Sequence, residues 1–99
     1  MNIDLIYCCF PNKKSARICA KLIIEKKLSN CCNLSKSSSI YFDNNKINTS
    51  QEIKLIIKSK QENSELIEKL IEKYHPYKTA VIITIPAKIN QKALNWLNS

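Results

Sequence analysis

CCNLSKSSSIYFDNNKINTSQEIKLIIK, residues 31–58, is the stretch that decides the fold of this chain. Its first arm, 31–42, has apolar ends around a polar middle, and its second arm, 46–58, alternates apolar with charged residues, which is the period of a strand. Between the arms lies Asp43-Asn44-Asn45, and asparagine tolerates positive φ better than any residue except glycine. We predict a long antiparallel hairpin. Its arms exceed what one small core needs, so a partner subunit could cover their edges.

The segment before the hairpin predicts one strand and one helix. Residues 3–10 form a short β-branched and aromatic run that is closed by Pro11, as expected of a buried strand. Asn12 can cap a helix, and apolar residues then recur through 13–28 at the spacing of one helical face. We therefore predict a strand followed by an amphipathic helix.

The segment after the hairpin predicts a second helix, a strand and a short tail helix. Ser59 and Glu62 have the spacing of a capping box, and Pro76 prevents the helix from continuing. Residues 79–85 are rich in β-forming side chains, and Asn90 is placed to cap the tail helix.

The predicted order is strand, helix, strand, strand, helix, strand. This βαββαβ order is the ferredoxin-like α+β arrangement, and right-handed crossovers would place both helices on one face of the sheet. A chain of 99 residues has enough material for one core only, so residues 1–99 are expected to form a single domain. The fold alone does not fix a function, because it carries many unrelated ones.

Composition narrows the expected partners and compartment. The net charge of +8 comes from lysine in a chain that has no glycine, and solvated surface lysines explain it better than a nucleic-acid or membrane surface. An RNA-recognition module shares the strand order, but 52–58 lacks the aromatics and glycine that such a module requires. Five cysteines without a secretory leader predict reduced thiols and a cytoplasmic location. We expect neither nucleic-acid nor membrane partners.

Catalysis has little support in the sequence. The single histidine, His75, has no recognisable acid or nucleophile partner, and no glycine is available for a phosphate loop. We therefore predict that the protein is not an enzyme.

Several short segments match one known family in order and nearly in spacing. Together they resemble the CutA, or divalent-cation tolerance, family along essentially the whole chain, and His75-Pro76-Tyr77 after a helix is the most distinctive piece. The matching segments are Ile6-Tyr7-Cys8-Cys9-Phe10-Pro11, Asn30-Cys31-Cys32-Asn33-Leu34, Ser39-Ile40-Tyr41, Lys46-Ile47, Leu55-Ile56-Ile57-Lys58, His75-Pro76-Tyr77 and Asn95-Trp96-Leu97.

The resemblance implies a ferredoxin-like subunit that forms a homotrimer through its long hairpin and is linked to tolerance of copper and other divalent cations. It also implies metal coordination by Cys8 and His75, with Tyr74 standing where some members have a second histidine. The family's usual residues after the tyrosine are replaced here by Lys78-Thr79-Ala80-Val81. The alternative that the resemblance leaves open is a small-ligand signalling or scaffolding trimer of the PII type.

The residues themselves permit two interpretations of the Cys8 and His75 pair. Thiolate favours Cu(I) and imidazole suits Cu(II) or Zn(II), so the two form a plausible metal donor set. Alternatively, Cys8 is a core thiol and His75 ends a helix. Cys9 must point to the opposite sheet face from Cys8, so at most one of the two binds the metal. Tyr41 and Tyr77 could line a cleft between subunits, or they pack at the trimer interface.

Overall fold

The computed structural model describes residues 2–99 and contains one four-stranded sheet with helices. The strands pair in the order β2-β3-β1-β4, and each pairing is antiparallel. This arrangement confirms the ferredoxin-like α+β prediction. The elements are β1 (Asn2–Phe10), α1 (Lys13–Glu25), β2 (Cys31–Asp43), β3 (Lys46–Ser59), a 3-10 turn (Gln61–Asn63), α2 (Ser64–Tyr74), β4 (Ile82–Lys88) and α3 (Gln91–Leu97).

The core lies between one face of the sheet and helices α1 and α2. Alternate residues of β1 and β3 point into it, and both helices add the apolar side of their surface. These side chains stay out of water because the strand period of two and the helix period of 3.6 both place apolar residues on the facing sides. The buried cluster comprises Ile6, Cys8, Phe10, Ala16, Cys19, Ala20, Ile23, Leu55, Ile57, Ile67, Leu70 and Ile71.

The sequence predicted the start of α1 correctly, but it did not predict the end of α1 or the start of α2. Asn12 caps α1 as expected, because its side-chain oxygen accepts a hydrogen bond from the Ser15 amide at 2.8 Å. The helix ends at Glu25, three residues early, since Lys27 takes a positive φ of 59° and breaks the pattern. The capping-box prediction for α2 is wrong. Ser59 still belongs to β3, and its hydroxyl donates to the Lys60 carbonyl.

The hairpin has the predicted turn and the predicted length. β2 and β3 stay in register from Cys31 opposite Lys58 to Asp43 opposite Lys46. Asn44 and Asn45 take φ values of 52° and 60°, which a type I′ turn requires at both central positions. The hairpin projects from the helix-covered body, and the structure reaches 47 Å along its longest axis.

Strand β4 begins and ends three residues later than predicted. It covers Ile82–Lys88, so Pro86 lies inside it and pairs with Asp4 of β1. A proline is tolerated there because β4 is an edge strand, where one side of the backbone needs no partner. Asn90 precedes α3 as expected, although its side chain makes no capping hydrogen bond.

Candidate functional site

Cys8 and Cys9 lie on opposite faces of the sheet, as strand alternation predicts. Cys8 is fully buried between the sheet and the helices, where it pairs with Leu55 across the strands. Burial raises the pKa of the Cys8 thiol to about 12, so the thiolate that a metal needs is strongly disfavoured. Cys9 is half-buried on the face that the helices leave uncovered.

His75 directly follows α2 and is held on both sides of its ring. Its Nε2 lies 2.8 Å from the Cys9 carbonyl oxygen, and its Nδ1 accepts a hydrogen bond from the Tyr77 amide at 3.0 Å. A carbonyl oxygen can only accept, so Nε2 carries the proton and neither nitrogen has a free lone pair. The ring also stacks on Phe10 at 4.4 Å and is only 8% exposed.

The predicted metal residues are therefore brought near one another through Cys9, but neither presents a free donor. Among residues 2–99, no three His, Cys, Asp or Glu side chains are grouped in a way that could hold a metal ion. In this conformation Cys8 and His75 do not fit a metal, and metal binding by this pair stays a prediction. The structure gives His75 a different task, which is to fix the backbone at Cys9.

A cleft of about 550 Å³ opens on the other side of Cys9. Cys9 donates to the Tyr7 hydroxyl at 3.5 Å, and the Tyr77 hydroxyl donates to the Glu52 carboxylate at 2.9 Å. Tyr41 and Tyr77, which the sequence suggested for a cleft between subunits, both line this cleft within one chain. The full lining is Tyr7, Cys9, Ser39, Tyr41, Asp43, Glu52, Tyr77 and Val81.

The charge of this cleft is opposite to that of the whole chain. The chain carries +8, yet among residues 2–99 Glu52 and Asp43 are the only charged side chains that line the cleft. Two of its tyrosines, Tyr7 and Tyr77, are held in the neutral form. Burial and the hydrogen bond to Glu52 raise the pKa of Tyr77 to about 12, and the hydrogen bond with Cys9 raises the pKa of Tyr7. Acids, neutral phenols and a thiol make this a cavity suited to a cation.

The sequence-based metal prediction named Cys8 and His75, and neither Cys9 nor Glu52, which line the cleft, was among its candidate residues. One signal pointed to Cys9: it shares strand parity with Tyr7, whose polar tip suits an open face, whereas Cys8 shares parity with Ile6 and Phe10. Glu52 gave no such signal. Its partner, Tyr77, lies 25 residues further along the chain, so only folding brings the two together.

The sequence of this chain is similar to those of known proteins along nearly its whole length. Residues 4–99 match the sequence model of the family described as CutA1 divalent ion tolerance protein. The chain belongs to the CutA1 family. The divalent-cation tolerance protein CutA of Yersinia pestis (strain Pestoides F) is 28% identical over 100 residues, a match that covers 99% of this chain and 84% of that protein.

Solved CutA1 structures superpose closely on this family member. CutA1 of Ehrlichia chaffeensis is 32% identical with a TM-score of 0.93, covering 98% of this chain and 92% of that one. The Archaeoglobus fulgidus protein, described as a periplasmic divalent cation tolerance protein, is 28% identical with a TM-score of 0.92, covering 99% and 96%. Within residues 2–99, no helix has both the length and the apolar character needed to cross a bilayer.

Raised thiol pKa values make the stability of this CutA1 family member sensitive to alkali. Burial raises the pKa of Cys8 and Cys32 to about 12 and that of Cys19 to about 11, from an ordinary 9.0. Unfolding exposes these thiols, so the unfolded chain loses protons first as the pH rises. The stability they contribute is complete below pH 9 and is lost as the pH rises through 11 to 12.

Urea unfolding at pH 7, 9 and 10.5 measures this effect. We expect only a small loss of the free energy of unfolding between pH 7 and pH 9, where exposed thiols begin to ionise, and a much larger loss between pH 9 and pH 10.5, apart from other titrating groups. Cys19→Ala should be less stable at pH 7 because it leaves a cavity, but it should lose less between pH 9 and 10.5. An unchanged drop in Cys19→Ala would contradict the assignment to buried thiols.

Proposed function

We propose that the protein contributes to divalent-cation tolerance by binding cations, copper among them, in the acidic cleft beside Cys9. The observation that carries this proposal is the charge inversion: a chain of net charge +8 lines one cleft only with the acids Glu52 and Asp43. Such a cleft attracts cations although the molecule as a whole repels them. Membership of the CutA1 family supports the same class of ligand.

The Cys9 thiol and the Glu52 carboxylate are the donors that we propose for the cation. A thiolate suits copper and a carboxylate suits harder divalent ions, so the pair spans the chemistry of more than one metal. Both donors must bind deprotonated. His75 acts here as a positioning residue, because its Nε2 hydrogen bond holds the Cys9 carbonyl at 2.8 Å and so fixes the strand at the thiol.

We further propose that the working unit is a homotrimer. The tip of the hairpin exposes large apolar side chains that no part of the described chain covers, with Phe42 71% and Ile47 74% exposed. Ile83 and Ile85 of edge strand β4 are also exposed, on the sheet face opposite the helices. Monomers rarely leave large apolar patches in water, and closed symmetry is the usual way to cover them. A neighbouring copy would also complete the open cleft.

The proposed location is the cytoplasm, and the proposed activity is binding rather than catalysis. All five cysteines are free, which suits a reducing compartment. The only histidine uses both ring nitrogens in hydrogen bonds, so in this conformation it offers no general base.

Copper titration of matched cysteine variants tests the proposed site. Calorimetry under anaerobic conditions should show that Cys9→Ser and Glu52→Gln each weaken copper binding about tenfold or more, equivalent to ~1.4 kcal/mol, because each removes a donor. Cys8→Ser is the matched control. It changes the same atom one residue away, on the buried face, and should bind copper nearly as the parent does.

The same titration separates this proposal from the pair predicted by sequence. If Cys8→Ser and His75→Ala lose copper binding while Cys9→Ser keeps it, the metal ligands are Cys8 and His75, as the sequence predicted. Equal copper affinity in the parent and all four variants would contradict metal binding both in the acidic cleft and at the Cys8 and His75 pair.

A further inference from the structure

A second recess lies away from the acidic cleft, where α1 ends and β2 begins. It measures about 360 Å³ and is walled by the end of α1, the end of β3, the 3-10 turn and the end of α3. Its charged side chains are Lys27, Lys58 and Lys60, and no Asp or Glu lines it. The lining charge of this recess is thus opposite in sign to that of the acidic cleft.

The neutral polar groups of this recess are already used to build its walls. The Asn30 side-chain amide donates to the carbonyls of Trp96, Leu97 and Ser99, which ties α3 to the start of β2. The Asn63 side-chain amide donates to the Leu28 carbonyl at 3.1 Å. These hydrogen bonds hold the recess open in one shape, and a preformed site loses less entropy when a ligand binds.

The lysines, in contrast, have no acidic partner. The one ion pair among residues 2–99 joins Lys69 to Glu65 on α2. Lys58 and Lys60 are half-buried, and the only side-chain contact of the Lys58 ammonium is with the Cys31 sulfur, at 3.7 Å. Partly desolvated cations without a counter-charge favour an anion nearby.

Helix dipoles do not cancel this charge. The ends of α1 and α3 both border the recess, and each helix C-terminus acts as roughly −0.5 of an elementary charge. The last α1 carbonyls are moreover capped by the amides of Lys26, Lys27 and Leu28. Three ammonium groups outweigh roughly −1 from the two helices together with the carboxylate of Ser99, the last residue of the structure, which also lines the recess.

We propose that this recess binds a compact, multiply charged phosphate group, of the kind found in inorganic oligophosphates and nucleoside triphosphates. Lysine ammonium groups bind phosphate oxygens as point charges, and the volume lies at the small end of ligand pockets, which suits the phosphates better than a complete nucleotide. This site is separate from the proposed cation cleft and does not depend on it.

Calorimetric titration with tripolyphosphate, in metal-free buffer at physiological salt, tests the proposal. The parent should bind in a saturable manner with one site per chain. Lys58→Gln and Lys60→Gln should each weaken binding about tenfold, as expected for the loss of one hydrogen bond to a charged group. Lys58→Arg keeps the charge and should stay within about threefold of the parent, a change of under ~0.7 kcal/mol.

Lys14→Gln is the control for non-specific attraction. It removes one charge from an exposed position on α1 that does not line the recess, and it should bind as the parent does. Equal weakening in Lys14→Gln, or no saturable binding by the parent, would overturn the proposal. Thermal melting of each variant verifies that it is folded.

Two further ligands identify what the recess recognises. ATP binding as tightly as tripolyphosphate supports recognition of the phosphates alone, whereas binding of ATP without any binding of tripolyphosphate would overturn it. Single-stranded RNA that binds the parent tightly, and weakens equally in all three glutamine variants, would indicate a diffuse basic surface and would also overturn it.

Discussion

Replacing Phe10 with alanine is expected to lower the free energy of unfolding by about 3–5 kcal/mol. Phe10 is fully buried in the core and stacks on the His75 ring at 4.4 Å. Its removal takes a large apolar side chain out of the core and leaves a cavity that the rigid strand β1 cannot close. The loss is comparable to a large share of the whole stability of a small domain.

Chemical denaturation at one fixed protein concentration measures this loss, because the proposed assembly would make apparent stability depend on concentration. Tyr74→Ala is the control: it also truncates an aromatic residue, but one that is 43% exposed at the end of α2. We expect it to cost about 1 kcal/mol or less. Equal losses in the two variants would mean that Phe10 is not a principal core residue.

The second large effect concerns assembly through the tip of the hairpin. Phe42 and Ile47 are directly opposite each other across the turn and are among the most exposed apolar side chains of the described chain. Light scattering of the parent at micromolar concentration should give about three times the 11.4 kDa subunit mass. Changing both residues to lysine should shift the mass toward that of one subunit, because burying two unpaired charges in an interface costs several kcal/mol.

Glu25→Lys is the matched charge control for that variant. It adds the same two units of positive charge at an exposed position of α1, remote from the hairpin tip in the sequence. It should keep the parent mass. A parent that is a stable monomer would refute the trimer, and a double-lysine variant that keeps three subunits would remove the hairpin tip from the interface.

The sequence predicted the elements of the fold well because local chemistry fixes them. Two asparagines that tolerate positive φ gave the hairpin turn, and Asn12 gave the start of α1. The capping-box error at Ser59 occurred because a tertiary contact competes there with a local pattern. Ser59 stays in β3 because it pairs with Asp4 of β1, and the following Ser64, the first residue of α2, donates to the buried Asp4 carboxylate at 2.6 Å.

The candidate site was predicted only in part, and the reason differs from residue to residue. Alternation along β1 required Cys8 and Cys9 to face opposite ways, but it could not say which face the helices cover. Similarity to the CutA family directed attention to Cys8 and His75, whereas burial and hydrogen bonding leave their donor atoms unavailable in this conformation.

The sequence by itself determined the strand and helix order, the turn and the family, because each depends on residues close together in the chain or on their order. Only the tertiary structure decided where charge collects. Glu52 and Asp43 line one cleft, whereas Lys27, Lys58 and Lys60 line another recess. The net charge of +8 does not say where the charges lie in space. Electrostatic attraction depends on the distances between charges, and folding sets those distances.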